Sequence, residues 1–256
     1  MRIVIKIGTS TLTYKTGAMN IRRVEKLCRV ISDLKNSGNE IIIVSSGAVA
    51  MGVGKLALNE RPKDVPTKQA AAAIGQCELM YIYDELFSKY HHTVAQILLT
   101  AEDIKNERQR NNFQNTMNRL MELGAIPVLN ENDSVATDEI VIGDNDTLAA
   151  NIATEISADL LIILTDTKGL YTSDPRQDTN AELISEVRVI DESIISLAKG
   201  KGSELATGGM VTKLKAAQIA TEAGIDMVIA DGNDPDILYD IYEGKQVGTR
   251  FYAGEK

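Results

Sequence analysis

The sequence predicts an α/β fold, a three-layer αβα sandwich around a mainly parallel sheet, and three observations carry that expectation. Short apolar runs such as Ile3-Val4-Ile5, Ile41-Ile42-Ile43-Val44 and Leu160-Leu161-Ile162-Ile163-Leu164 lack the polar alternation of a half-exposed strand. They suit parallel strands buried on both faces. Between the runs lie longer segments with apolar residues at three- and four-residue spacing, as in Ile21, Val24, Leu27, Cys28, Ile31 and Leu34, the pattern of a helix with one buried face. Finally, the runs end in glycine, serine, asparagine or aspartate, at the carboxyl edge where open α/β sheets place their ligands.

In order, a strand over 2–7 leads through Gly8-Thr9-Ser10 to a helix near 20–36 that Gly38 ends. A strand over 41–45 runs through Ser46-Gly47 straight into a helix, a turn whose backbone N–H groups attract an anion. A helix near 67–90, with Ala70 to Ile74, Leu79, Ile82 and Leu86 as its apolar residues, leads to a strand over 94–99. The polar helix 106–123 leads to the apolar run Ala125 to Leu129, a buried strand that delivers the segment Asn130 to Asp146. Then follow a helix over 145–157, a strand over 160–164, and a tail through Asp174-Pro175. A short helix near 191–198, glycine-rich 200–209, a helix over 210–223, a strand over 227–230 and a helix near 234–242 complete the pattern. No internal repeat or long Pro/Gly linker divides the 256 residues, which read as one sheet with two functional halves, 1–158 and 159–256.

Composition narrows the partners. The formal net charge is -9, with 27 Lys+Arg against 36 Asp+Glu, which leaves no basic field for nucleic acid. Apolar runs stop far short of the roughly 20 residues a membrane span needs, and the chain starts directly on a strand pattern, so neither a membrane nor a signal peptide is expected. Cys28 and Cys77 sit in helical patterns with no CxxC or histidine partner, as structural thiols of a cytoplasmic protein do.

Chemistry concentrates between Asn130 and Asp146, where six carboxylates and three asparagines crowd the end of a strand. Hard oxygens and amides at that density suit an amine-bearing substrate, or Mg²⁺ carried in on phosphates; a solvated acidic loop has the same composition. Glu131, Asp138, Glu139 and Asp144 are assigned by default to solvation or loop structure and not to ligand contacts. Thr207-Gly208-Gly209-Met210-Val211-Thr212-Lys213 places glycines at a helix N-terminus with a lysine in its first turn, a cradle for a phosphate; alone it also reads as a flexible linker and a surface lysine. Lys6, inside an apolar strand, either faces water on an edge strand or meets an anionic ligand. Neither G-x-x-x-x-G-K-[ST] nor G-x-G-x-x-G occurs.

Taken together, Lys6-Ile7-Gly8-Thr9-Ser10, Val44-Ser45-Ser46-Gly47-Ala48, Asn130-Glu131-Asn132-Asp133 with Gly143-Asp144-Asn145-Asp146, Leu164-Thr165-Asp166, and Thr207-Gly208-Gly209-Met210 with Lys213 resemble the amino acid kinase family, in order and along the whole chain. S-S-G-A-V-A, N-E-N-D-S-V-A-T, G-D-N-D and T-G-G-M-x-T-K resemble most the branch that phosphorylates the γ-carboxylate of L-glutamate with ATP and Mg²⁺, the first step of proline synthesis. The resemblance implies that Lys6 and Lys213 grip the transferring phosphoryl group and that Asp146 holds them. It implies glutamate contacts at Ser46, Gly47, Asn130, Asp133 and Asn145. The nucleotide would meet Lys6, Gly8, Thr165, Asp166, Thr207, Gly208, Gly209, Met210, Val211, Thr212 and Lys213, with no resident metal ligands among the side chains. It also implies a homodimer or homotetramer, feedback by proline, and hand-over of the acyl phosphate to a glutamyl phosphate reductase. Many members of that branch continue into a C-terminal domain resembling RNA-binding modules, whereas this sequence ends at Lys256.

The implied chemistry explains a missing residue type. A glutamate carboxylate has a pKa near 4.3 and is already ionised at neutral pH, so the nucleophile needs no general base. The two histidines, His91 and His92, read instead as a solvated helix end. Two other readings stay open: a sister kinase acting on acetylglutamate, aspartate, carbamate or a nucleoside monophosphate, and a non-catalytic amino-acid sensor on the same scaffold.

Overall fold

The apolar runs become strands of a single sheet because each has helices to cover both of its faces. The computed structural model describes residues 1–14, 16–58, 60, 62–136, 145–199 and 209–254. Strands β1 (Arg2–Ile7), β2 (Glu40–Ser45), β3 (Val94–Leu99), β4 (Ile126–Glu131), β5 (Leu160–Thr165), β6 (Glu186–Val187), β7 (Asp226–Asp231) and β8 (Thr249–Phe251) form an eight-stranded sheet. Their order is β3-β4-β2-β1-β5-β7-β8-β6. Pairing is parallel except between β7 and β8, which run antiparallel. Four strands precede residue 158 and four follow it, and the two sets meet where β1 lies beside β5.

Period-two geometry sends alternate residues of each strand into different cores. Ile3, Ile5, Ile7, Ile41, Ile43, Ile162 and Leu164 pack beneath helices α2 (Ile21–Asn36), α4 (Val65–Ser88) and α10 (Ile237–Tyr242). Val4, Ile42, Val44, Leu161 and Ile163 pack on the other face, beneath α6 (Glu107–Glu122), α7 (Asn145–Glu155), α8 (Glu192–Lys199) and α9 (Met210–Glu222). Lys6 shares the parity of Val4, so its side chain leaves β1 on the α7/α9 side. Helix starts follow their sequence signals: Asn20, Asp64 and Asn106 each accept a hydrogen bond from a backbone N–H in the first turn, satisfying groups that a helix start leaves open.

Helix α3 (Ala48–Lys55) presses directly on α4. A Cβ on Gly52 would lie 1.8 Å from the Ala71 carbonyl oxygen, and one on Gly75 would lie 1.8 Å from that of Ala48. The contact is therefore backbone against backbone, and only glycine fits at either place. At the other end of α4, Ser45 Oγ and the Tyr83 hydroxyl are 2.9 Å apart in the core, tying the helix to the last residue of β2.

Several sequence expectations shift. β4 extends to Glu131, so Asn130 and Glu131 belong to the strand and not to the loop; Glu131 is 8% exposed, which overturns its assignment to loop solvation. The polar helix expected over 106–123 is α6, and ahead of it stands an additional short helix, α5 (Ala101–Lys105), which Thr100 and Asp103 start with their own capping box. The one-turn helix α1 (Thr9–Leu12) and the short strands β6 and β8 had no periodic signal. Cys28 is buried as expected, whereas Cys77 is exposed. Among the described residues no helix is long and apolar enough to cross a membrane.

Gly75→Ala is expected to lower stability by about 1–3 kcal/mol through overpacking, even though alanine gains roughly 1 kcal/mol in helix propensity over glycine. The midpoint of urea unfolding measures this, and an unchanged or raised midpoint would show that α3 and α4 can separate freely.

Candidate functional site

Three elements distant in sequence converge on one carboxylate. Asp146 lies in the first turn of α7, 3% exposed. Lys6 Nζ, reaching up from β1, is 2.8 Å from Asp146 Oδ1. Lys213 Nζ, from the first turn of α9, is 3.0 Å from Asp146 Oδ2. Thr212 donates its hydroxyl to the same Oδ2 at 2.9 Å. Both lysines are 7% exposed, and a buried ammonium without a partner would be costly. β1 is a central strand, so the edge-strand alternative for Lys6 is excluded. Burial alone would raise the Asp146 carboxyl, but Lys6 and Lys213 outweigh it and hold the group below the usual carboxylate range. With two ammonium groups on one carboxylate, the cluster keeps a net positive charge at the carboxyl edge of the sheet.

The approach to this charge is made of glycines and helix starts. Gly8 N–H donates to the Leu164 carbonyl at 3.1 Å, which places Gly8 between β1 and β5, and a Cβ there would be 3.9 Å from Lys6 Nζ. Gly209 caps α9 with φ +86, a backbone region that L-residues rarely enter. Its carbonyl lies 2.9 Å from Thr212 Oγ1, so that it and Asp146 Oδ2 share the one hydroxyl hydrogen, and it accepts from Lys213 Nζ at 3.4 Å. Met210 and Val211, half-buried, open the helix beyond it. The N-termini of α7 and α9 thus sit together, with positive helix ends suited to an anion. Thr165 closes β5 with its hydroxyl 3.2 Å from Asp166 Oδ1, and Asp166 is exposed beside it. Thr207 and Gly208 lie outside the described residues, as do Asp138, Glu139, Gly143 and Asp144.

Beside the lysine cluster runs a chain of amides. Asn145 Nδ2 donates to Ser46 Oγ at 3.0 Å and to Asn130 Oδ1 at 2.9 Å. Asn130 Nδ2 donates to Gln76 Oε1 at 2.9 Å. Ser46 is held by its own N–H to the Ile7 carbonyl, and Gly47, at φ +102, turns the chain into α3. Asp133 follows β4, and burial together with the negative charge of Glu131 pushes its carboxyl up to about 6. Among the sequence candidates, Lys6, Asp146, Thr212, Lys213 and Gly209 are brought into one bonded cluster, and Ser46, Asn130 and Asn145 into another. Asp133 and Asp166 share the carboxyl edge without a bond to either.

Gln76 had not been singled out from the sequence. It was legible there: at helical spacing 72, 76, 79 and 83 fall on one stripe, so a glutamine sits among Ala72, Leu79 and Tyr83 on the buried side of α4.

Among the described residues no group of three or more His, Cys, Asp or Glu is placed to hold a metal ion. The one carboxylate at the lysine cluster is taken up by ammonium groups. Mg²⁺ commonly arrives on nucleotide phosphates.

The amino acid kinase family profile matches residues 1–231. Glutamate 5-kinase of Clostridium perfringens (strain 13 / Type A) is 52% identical over 256 residues, covering 98% of this chain and 95% of that one. Glutamate 5-kinase of Carboxydothermus hydrogenoformans is 50% identical over 256 residues, covering 100% of this chain and 68% of its own length. Among solved structures, carbamate kinase from Giardia lamblia bound to AMP-PNP superposes with TM-score 0.67 at 16% identity, covering 98% of both chains. UMP kinase from Ureaplasma parvum does so with TM-score 0.66 at 15% identity, again over 98% of both. At such identities the structural likeness speaks to the fold, and the sequence matches settle the family: this chain belongs to the amino acid kinase family.

Proposed function

We propose that the chain transfers the γ-phosphoryl group of ATP to the γ-carboxylate of L-glutamate, giving L-glutamyl 5-phosphate and ADP as the first step of proline synthesis. The observation that carries this reading is the pair of lysines seated on the two oxygens of one buried aspartate, beside an amide-lined recess. The glutamate 5-kinase relatives match along nearly the whole chain. The recess falls in the first half of the sequence, 1–158, and α9 with the end of β5 in the second half, 159–256, which we assign to the amino acid and the nucleotide respectively.

A glutamate carboxylate oxygen attacks the γ-phosphorus while the bond to the β,γ-bridging oxygen of ATP breaks. The pair of electrons leaves with ADP. No proton has to move, because the nucleophile is already an anion. The obstacle is repulsion between that anion and the triphosphate, with charge spreading over the transferring oxygens. Lys6 and Lys213 offset it in a site from which water is largely excluded, and Asp146 fixes their spacing before the substrates arrive. Asp146 acts on the lysines and accepts no substrate proton, since it is ionised throughout the working range. Thr212 holds the second oxygen of Asp146, and the α9 N-terminus around Gly209, Met210 and Val211 faces the phosphates. Gly8 leaves room for them. Thr165 and Asp166, with Thr207 and Gly208, would complete the nucleotide contacts. Mg²⁺ supplies charge neutralisation on the phosphates.

For glutamate, the Ser46 hydroxyl, the Gly47 N–H and the second Asn130 Nδ2 hydrogen offer donors to carboxylate oxygens, Asn145 holds Ser46 and Asn130 in place with both of its Nδ2 hydrogens, and Asp133 meets the α-ammonium. Proline shares an α-carboxylate and an amine with glutamate, so feedback would act at this same half. The product is an activated anhydride that water destroys, which favours hand-over to a reductase that consumes it. A cytoplasmic homodimer or homotetramer completes the proposal.

With ATP, L-glutamate and hydroxylamine the enzyme is expected to form a glutamyl hydroxamate; glutamate-independent turnover, or a preference for carbamate or a nucleoside monophosphate, would overturn the reading. Lys6→Ala and Lys213→Ala should each lower kcat by about 10²–10³-fold. Either variant leaves one lysine on Asp146 as a neutral pair, so circular dichroism should show an intact fold. Near-normal turnover would remove these lysines from the mechanism.

Asp133 gives a pH signature. Its folded pKa of about 6 lies above the ordinary carboxylate value, so the ionised form that pairs with an ammonium is lost as pH falls through about 6. The kcat/KM for glutamate should drop about tenfold per pH unit below that point. In Asp133→Asn the plateau should be lower and this limb absent. A limb unchanged in Asp133→Asn would assign it to another group.

A further inference from the structure

The amides of the recess have a direction. Glu131 N–H donates to Asn130 Oδ1 at 2.9 Å, and a backbone N–H can only donate, so Oδ1 and Nδ2 of Asn130 cannot exchange places. Nδ2 of Asn130 therefore faces Gln76 and requires an acceptor there, which is Gln76 Oε1 at 2.9 Å. By the same logic Oδ1 of Asn130 requires a donor from Asn145, which is Nδ2. Two amide atoms are left over at the ends of the chain. Among the described residues, Gln76 Nε2 is a buried donor without a partner and Asn145 Oδ1 is a buried acceptor without one. The two residues are 8% and 3% exposed. An unpaired buried amide end costs stability unless a ligand completes it.

We propose that Gln76 is a specificity-determining residue of the amino-acid subsite, its Nε2–H₂ donating to an α-carboxylate oxygen of the substrate. This rests on the acceptor being an amino dicarboxylate, as argued above. The end of the molecule that Gln76 reads follows from position: Asn145 adjoins Asp146 and its lysines, whereas Gln76 lies two hydrogen bonds farther along the chain. The reacting γ-carboxylate belongs near the lysines, and the α-carboxylate at the remote end. The backbone contact of Gly75 with α3 and the Tyr83 hydroxyl two turns on fix the helix that carries the donor. An α-carboxamide in that place would offer a single neutral acceptor oxygen where the α-carboxylate offers two charged ones, and its N–H₂ would meet a donor with a donor in the other orientation.

Gln76→Glu separates recognition from architecture, because a carboxylate still accepts from Asn130 Nδ2 while presenting an anion in place of the N–H₂. Its KM for L-glutamate should rise about 10- to 100-fold with the KM for ATP nearly unchanged. The ratio of kcat/KM for L-glutamate over its α-carboxamide, which keeps the reacting γ-carboxylate, should fall by at least about tenfold relative to the unaltered enzyme. Gln76→Ala, with both bonds gone, should raise the glutamate KM without improving use of the α-carboxamide. An unchanged glutamate KM in Gln76→Glu, or an unchanged preference between the two acceptors, overturns the assignment. Failure of the unaltered enzyme to phosphorylate glutamate at all would instead sink the function proposed above, so the two failures are distinguishable.

Discussion

A single carboxylate organises the molecule. Asp146 accepts an ammonium on each oxygen, from two lysines that stand at positions 6 and 213, one in the first strand and one in a helix of the second half. Buried ion pairs are weak contributors to net stability, because desolvation offsets much of their attraction. Their value here is positional. An aspartate between two lysines fixes the distance from one cation to the other, and removing solvent around them raises the effect of their charge on anything that enters. The sheet serves that geometry: β1 must be central to be dry, α7 and α9 must lie on the same face, and both must begin at the carboxyl edge.

The neighbouring recess solves a different problem with neutral groups. Amides linked end to end have no charge to desolvate, yet each has a donor side and an acceptor side, so the whole chain takes its polarity from one backbone N–H. In the function proposed above, the arrangement would complement an amino acid held in one orientation, and its place beside the lysine cluster would put a carboxylate within reach of a phosphoryl group without either half having to supply both kinds of recognition.

The class and most elements were legible because covered strands and one-sided helices leave distinct periods in the sequence. Where the period had too few residues to repeat, as in Thr9–Leu12, Glu186–Val187 and Thr249–Phe251, nothing announced the element. Lys6 was visible as an anomaly, but its meaning depended on whether β1 has neighbours on both sides, and that is decided by strands that follow much later in the chain. Glu131 was misjudged because a strand end and a loop start have the same composition, and only pairing with Leu99 shows that the strand continues. Gln76 escaped because a glutamine within alanines and leucines passes for an ordinary helical residue until the buried stripe is traced through it.

The stitching at the top of β1 bears on how the protein can move. Ser46 N–H is tied to the Ile7 carbonyl on one side and Gly8 N–H to the Leu164 carbonyl on the other, so the strand that carries Lys6 is laced to both flanks at the place where the two halves of the chain adjoin. A bending axis through the sheet would have to tear that lacing. The seam beneath the lysine cluster therefore acts as a stationary anvil.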